Sequence, residues 1–250
     1  RFSLTVDYYN IRVTGAISAP TTVDIVNGCF NNPSPSNPSC LLIRRDPITG
    51  GLNGDQNNVP GISLARSNLG RLAAQGIDVT VNFQRDLGFA RWTVNASGNW
   101  ASKSSFQASP ASVDRDCVGV YNVSCTSLRP EFQWSVRHTL TLPSQFDVSL
   151  LWRHIDAMRS PDRLFSGTIP ELGGSYDFNR IPSYDYFDLS LRQVIGDRYT
   201  LQLTVQNLLD KAPPIVGGTV GAGGFNSGNT FPSTYDTLGR RFAITAKVAL

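Results

Sequence analysis

Four cysteines are the residues of this chain best suited by type to covalent chemistry. They fall as two close pairs, Cys29 with Cys40 and Cys117 with Cys125. Each pair lies in a stretch rich in Pro, Ser, Asn or Asp rather than in an apolar run. Two local disulfides formed in an oxidising compartment are the natural reading, and free thiols are the plain alternative. Neither pair has the two-to-four-residue spacer of zinc ligands, so a metal site is not expected. His138 and His154 are the only histidines. No G-x-S-x-G elbow, H-E-x-x-H helix or phosphate-binding loop occurs. The run GGTVGAGG (residues 217–224) lacks both the lysine and the following helix of a phosphate loop, and reads as a loop tip. The expectation is a protein that is not an enzyme and carries no cofactor.

Charge and hydropathy narrow the class further. The formal net charge of +3 is spread along the chain, and the only lysines are Lys103, Lys211 and Lys247. No basic block suggests nucleic acid. Hydrophobic residues make up 40% and mean hydropathy is −0.15. No window approaches the roughly 18 consecutive apolar residues of a membrane helix. A transmembrane barrel escapes that test, because only every second residue of its strands faces lipid. Arg1 already stands inside an alternating run, so a fragment or a processed chain is expected.

The elements that must position the cysteines are strands, and the last is the clearest. In GRRFAITAKVAL (residues 239–250), Phe242, Ile244, Ala246, Val248 and Leu250 alternate with Arg241, Ala243, Thr245, Lys247 and Ala249. Seven more segments show the same period. The first, residues 2–17, carries Phe2, Leu4, Val6 and Tyr8 on one face. It slips by one at Tyr8-Tyr9, as a bulge would, before Ile11 and Val13. The second, residues 72–84, sets Ile77, Val79, Val81 and Phe83 against Asp78, Thr80, Asn82 and Gln84. The third sets Trp92, Val94, Ala96, Gly98 and Trp100 against Arg91, Thr93, Asn95, Ser97 and Asn99. Residues 130–142 carry Phe132, Trp134, Val136, His138 and Leu140, and the next strand carries Phe146, Val148, Leu150 and Trp152. Residues 184–194 alternate Phe187, Leu189 and Leu191 with Asp188, Ser190 and Arg192. The seventh alternates Tyr199, Leu201, Leu203 and Val205 with Thr200, Gln202 and Thr204.

The connections sort by parity. Residues 85–88, 143–145 and 195–197 are tight turns, whereas 18–71, 101–129, 156–183 and 210–238 are long and rich in loop-forming residues. In an up-and-down meander this puts all short turns on one rim and all long loops on the other. That is the pattern of periplasmic turns and extracellular loops in an outer-membrane barrel. The tryptophans agree. Trp92 and Trp100 share a face and lie about 26 Å apart at ~3.3 Å per residue. A tilt near 40° reduces that to about 20 Å of height, close to the ~25 Å apolar band between aromatic girdles. Trp92, Trp100, Trp134, Trp152 and Tyr199 are the girdle candidates, and His138 falls on the lipid side.

Three stretches carry a family likeness: LTVDYYNIRVTGAI (residues 4–17), NLGRLAAQGIDVTVNFQRDLG (68–88), and VQNLLDKAPP (205–214) with TYDTLGRRFAITAKVAL (234–250). Together they resemble the C-terminal half of a TonB-dependent outer-membrane receptor over essentially the whole chain. The resemblance implies an all-β, antiparallel transmembrane barrel of about 22 strands, of which residues 1–250 supply about eight. The plug domain and its contact with the TonB complex would lie upstream of Arg1. Phe242 and Leu250 would be the signal read by the barrel-assembly machinery, with Leu250 standing where the family usually has Phe or Trp. The implied function is active uptake of a large scarce nutrient, such as a ferric siderophore, cobalamin, haem or an oligosaccharide. Arg44, Arg45, Arg159 and Arg163 are the candidate ligand contacts, because guanidinium forks pair with anionic groups of a chelate. The same residues could be solvated loop charges or lipopolysaccharide contacts. Two alternatives stay open: a self-contained eight-stranded barrel with a structural or adhesive role, and a soluble extracellular domain that binds carbohydrate.

Overall fold

A computed structural model describes residues 1–52, 61–110, 112–122, 125, 128–161, 164, 166–170, 174–196, 198–216 and 229–249. Its backbone is dominated by eight long strands: β1 (Phe2–Ser18), β2 (Ser67–Asp86), β3 (Arg91–Gln107), β4 (Phe132–Thr141), β5 (Phe146–Ile155), β6 (Tyr184–Ile195), β7 (Tyr199–Gln206) and β8 (Arg241–Val248). They hydrogen-bond in chain order, and every pairing from β3 to β8 is antiparallel. Such a meander needs only hairpin connections. β1 and β8 stand at opposite ends of the order, so the sheet is open, a partial barrel. A self-contained eight-stranded barrel would have made these two neighbours, and among the described residues they are not.

Register fixes the two sides of the sheet. Trp92, Val94, Ala96, Gly98 and Trp100 of β3 lie opposite Leu140, His138, Val136, Trp134 and Phe132 of β4. The same row continues through Trp152 and Leu150 of β5, Phe187 and Leu189 of β6, Val205 of β7 and Phe242 of β8. Among the described residues no second layer covers this apolar side. Val94, Val136 and Leu203, the residues a two-sheet sandwich would bury, are only half-buried. Phe2, Phe242 and Ile244 are 67%, 69% and 81% exposed. A contiguous apolar surface of this extent marks a site of contact with something other than water. No helix among the described residues is long and apolar enough to cross a membrane, so any crossing falls to the strands.

The strands end differently from the pattern read in the sequence. β3 continues past Trp100 to Gln107, and its Ser105 and Phe106 pair with Asp116 and Arg115 of a two-residue strand. Apolar alternation lapses there while backbone pairing goes on, because a strand above the hydrocarbon no longer needs an apolar face. β2 likewise spans Ser67–Asp86 rather than 72–84, and β8 is Arg241–Val248. β1 runs unbroken through Tyr8 and Tyr9. The tight turns are as expected: Leu87 N–H donates to Ala90 O at 2.9 Å, with Gly88 at φ +84. Asp197 of the third turn lies outside the described residues.

By contact the chain forms two compact units, residues 1–9, 76–102 and 118–250, and residues 10–75 with 103–117. In the first, the buried core is not made by the apolar strand rows. It consists of Tyr121, Met158, Ile181, Tyr184, Tyr186, Val216, Phe231 and Tyr235, mostly from long connections and the loop end of β6. Short strand pairs brace it, Met158–Arg159 with Arg180–Ile181 and Ser166–Ile169 with Gly174–Asp177. The Tyr121 hydroxyl donates to Phe178 O at 2.6 Å. Burial, helped by nearby Asp177, pushes its ionisation far up. The phenol of Tyr235 is raised by burial in the same way.

In the second unit the first long connection holds two helices that strand periodicity does not reveal, α1 (Thr22–Phe30) and α2 (Pro38–Leu41). A capping box starts α1: Thr21 Oγ1 accepts from Asp24 N–H at 3.2 Å, and Asp24 Oδ2 accepts from Thr21 N–H at 2.8 Å. Asn37 caps α2 by accepting from Ser39 N–H at 2.9 Å, and Pro38 supplies a preset φ at its first position. Cys29–Cys40 ties the helices together. Asp24 is fully buried and ion-paired with Arg115.

Two measurements test this arrangement. Val94→Arg should block assembly of the barrel, costing roughly 2–4 kcal/mol near the bilayer midplane. Asn95→Arg, one residue away on the other side, should assemble normally, as read by heat-modifiable mobility of membrane fractions. Equal outcomes would mean that the two faces do not differ in solvent, and the opposite outcome that they are reversed. Asp24→Ala strands the Arg115 guanidinium without its partner, a loss of about 3–5 kcal/mol for a buried pair. Limited proteolysis should then cut residues 19–66 far faster than in wild type, with strand content unchanged.

Candidate functional site

The side of the sheet opposite the apolar rows carries a continuous hydrogen-bonded ladder. On β3, Asn95 Nδ2 donates to Asn82 Oδ1 at 2.8 Å, and Asn99 Nδ2 donates to Asp78 Oδ1 at 2.7 Å and Tyr9 Oη at 3.1 Å. Ser97 and Ser135 hydroxyls meet at 3.1 Å across β3 and β4. Arg137 Nη1 and Thr139 Oγ1 both donate to Ser149 Oγ at 3.1 Å across β4 and β5. Gln202 Nε2 of β7 donates to Ser190 Oγ of β6 at 3.2 Å. These residues occupy every second position, so one strand period places polar groups from seven strands on one surface.

Three arginines on this side pair with carboxylates. Arg153 on β5 sets its fork on Asp188 of β6, with Nη2–Oδ1 and Nε–Oδ2 both 3.1 Å. Its guanidinium also stacks 5.3 Å from the Tyr186 ring centroid. Arg192 Nη1 donates to Asp147 Oδ2 at 2.8 Å. Arg241 of β8 reaches Asp236 with two bonds, 2.8 and 3.1 Å. A cleft of about 550 Å³ opens among Asp78, Asn99, Gln133, Ser135 and Arg153. Such a surface offers alternating donors and acceptors to water or to a polar solute.

The candidate arginines fall in separate places. Arg44 and Arg45 are exposed in the first long connection. Arg45 Nη1 donates to Gly50 O at 3.0 Å, closing the turn that Asp46 organises. The Asp46 carboxylate accepts from Thr49 and Ile48 N–H, each at 2.8 Å, and these bonds hold its ionisation below the usual range. Arg159 is exposed in the third long connection, in register with Arg180. Arg163 lies outside the described residues, as do Leu250 and the glycine run 217–224. Arg44 and Arg45 belong to one compact unit and Arg159 to the other.

Cys117 and Cys125 are disulfide-bonded, as are Cys29 and Cys40, and no free cysteine exists. The five girdle candidates share the apolar side. Trp92 and Tyr199 stand beside short turns, while Trp100, Trp134 and Trp152 stand toward the long loops. His138 stacks on Trp92 at 5.9 Å, and His154 on Trp134 at 5.3 Å. One residue escaped the sequence reading. Asp185 ends the apolar row of β6, accepting from Trp152 Nε1 at 2.7 Å and lying 2.9 Å from His154 Nδ1. Its signal was present, since it continues the Phe187–Leu189 alternation with a charged residue.

No curated protein sequence matches the chain. Three solved structures share its fold. The ferric-catecholate import receptor Fiu of E. coli is 14% identical with a TM-score of 0.50, covering 99% of this chain and 25% of that one. The FrpB iron transporter of Neisseria meningitidis is 10% identical, TM-score 0.53, covering 98% and 28%. The siderophore receptor PirA of Acinetobacter baumannii is 15% identical, TM-score 0.52, covering 100% and 30%. The chain therefore spans no more than 30% of the length of these proteins. A family model described as TonB dependent receptor-like, beta-barrel matches residues 1–208. With its open antiparallel meander, apolar outside and hydrogen-bonded polar inside, the chain belongs to the TonB-dependent receptor β-barrel family of the Gram-negative outer membrane.

Proposed function

We propose that the chain forms one portion of the wall of an active-uptake receptor, driven through the TonB complex, and that its cargo is a ferric siderophore. The observation that carries the reading is the pairing of a bare apolar side with a polar side whose charges are neutralised across strands. That arrangement suits a lipid-embedded wall around a wet passage. The iron-related names of these structural neighbours favour a ferric chelate over cobalamin, haem or an oligosaccharide. The open edges at β1 and β8 are completed by further strands of a barrel of about 22. A plug domain encoded upstream occupies its lumen and meets the TonB complex.

Within this reading the long connections face outward and capture the cargo. Arg44, Arg45, Arg159 and Arg163 offer forks to the anionic groups of the chelate. Trp92 and Tyr199 mark the periplasmic interface, and Trp100, Trp134 and Trp152 the outer one, in contact with lipid and lipopolysaccharide. Phe242, with Leu250, presents the closing strand to the barrel-assembly machinery.

Binding of iron-loaded catecholate and hydroxamate siderophores to the full receptor containing this chain tests the reading. At least one should bind and be taken up only when TonB is functional. Arg44→Ala and Arg159→Ala should each weaken binding about tenfold, or ~1.4 kcal/mol for a charge-assisted hydrogen bond. A receptor that binds an oligosaccharide and no ferric chelate would overturn the cargo. Unchanged affinity in both variants would remove the arginines from the site.

A further inference from the structure

Arg153, Arg192 and Arg241 each meet a carboxylate, and in the second compact unit Arg115 meets Asp24. Three other cations of that unit do not. Arg12 of β1, Arg71 of β2 and Lys103 of β3 line a single cleft of about 330 Å³. Among the described residues none of the three forms an ion pair. The cleft lies wholly within residues 10–75 and 103–117. Asp114 is the acid on its lining.

Gathering like charge in this way is costly. Cations that face each other across strands destabilise a sheet. Lys103 is also half-buried, where an ammonium gives up part of its water. The framework holds the cations together all the same. Beside Lys103, Ser105 and Phe106 pair with Asp116 and Arg115 of the short strand. Gln107 Nε2 donates to Ser112 O at 2.9 Å, and Ser18 Oγ donates to Ala108 O at 3.0 Å. The three charges therefore spring from bonded strands and not from loose loop tips.

The chemistry of an occupant follows from the lining. Guanidinium forks pair bidentately with anionic oxygens, and an ammonium adds a point charge. Three cations against one acid leave the cleft positive, so the occupant carries more than one negative charge. The Asp114 carboxylate is an acceptor and calls for a hydroxyl on the same molecule. Sulfate, with acceptors alone, offers none. A volume of about 330 Å³ stands at the lower end of small-molecule sites, which suits a small organic acid. We infer that Arg12, Arg71 and Lys103 bind a hydroxypolycarboxylate, with its carboxylates on the cations and its hydroxyl at Asp114. That this anion forms part of the cargo rests on the uptake reading, whereas binding of the bare anion does not.

Isothermal titration of the full receptor with iron-free citrate, tricarballylate and sulfate tests the assignment. Wild type should bind one citrate per chain. Tricarballylate, with the same carboxylates and no hydroxyl, should bind more weakly, and sulfate most weakly. Arg12→Ala, Arg71→Ala and Lys103→Ala should each weaken citrate about tenfold. Asp114→Ala should remove the preference for citrate over tricarballylate. Arg66→Ala deletes a cation of the same unit outside the cleft, and should leave binding unchanged. Failure to bind citrate, sulfate binding as tight as citrate, or an equal loss in Arg66→Ala would each overturn the site. Citrate binding that depends on the three cations, in a receptor that takes up no ferric chelate, would support the site and overturn the uptake reading alone.

Discussion

Every backbone N–H and C=O that enters hydrocarbon must find its partner within the protein, because no water is there to supply one. From β3 to β8 that requirement is met by unbroken antiparallel ladders, each strand bonded to its neighbours in sequence. Once the ladder is fixed, side chains have no freedom of side: residue and partner face the same way, and the next pair faces the other. The two surfaces of the sheet therefore become two different solvents' boundaries. Val94 and Asn95 are adjacent in the chain and belong to opposite worlds, one opposite His138 and the other opposite Arg137. The exposure of Phe242 and Ile244, anomalous in a water-soluble domain, follows directly.

This constraint also explains which parts of the structure could be read from residues alone. Period-two alternation is dictated wherever one face meets lipid, so the rows through Trp92–Trp100, Phe132–Leu140 and Leu201–Val205 were legible. The sorting of turns and loops by parity was legible for the same reason. Where the hydrocarbon stops, the dictation stops. β3 goes on to Gln107 by backbone pairing alone, and nothing in the run Ser102 to Gln107 alternates in hydropathy. The helices α1 and α2 were visible only through local capping signals, Thr21 with Asp24 and Asn37 before Pro38, which a search for strands passes over. Asp185 was hidden differently. It sits in an apolar row, where its carboxylate accepts from Trp152 and lies beside His154 of the neighbouring strand, and such cross-strand partners have no fixed sequence separation.

The long connections are built by the rules of soluble proteins. They bury tyrosines, satisfy their caps and enclose an ion pair, Asp24 with Arg115, of the kind that is costly to break. The Tyr121–Tyr184–Tyr186–Tyr235 core draws residues from three connections and a strand end. Its members are far apart in sequence and obey no period. The disulfides stand in those connections too, Cys29 holding α1 to α2 through Cys40. A cross-link of this kind removes loop-closure freedom from the unfolded connection. One polypeptide thus follows two rule books, with the change occurring where the strands leave the membrane.

The polar side adds a last consequence. Arg153, Arg192 and Arg241 each meet a carboxylate, Asp188, Asp147 and Asp236, at 2.8 to 3.1 Å. Paired charges present a surface that is strongly hydrated but weak in net field, and the serine, threonine and asparagine ladder between them is similarly self-satisfied. The exposed Arg44 and Arg159 stand on loops, where sequence is free of the alternation that lipid enforces. The division is physical: strands cannot vary their pattern without failing to assemble, whereas loops can.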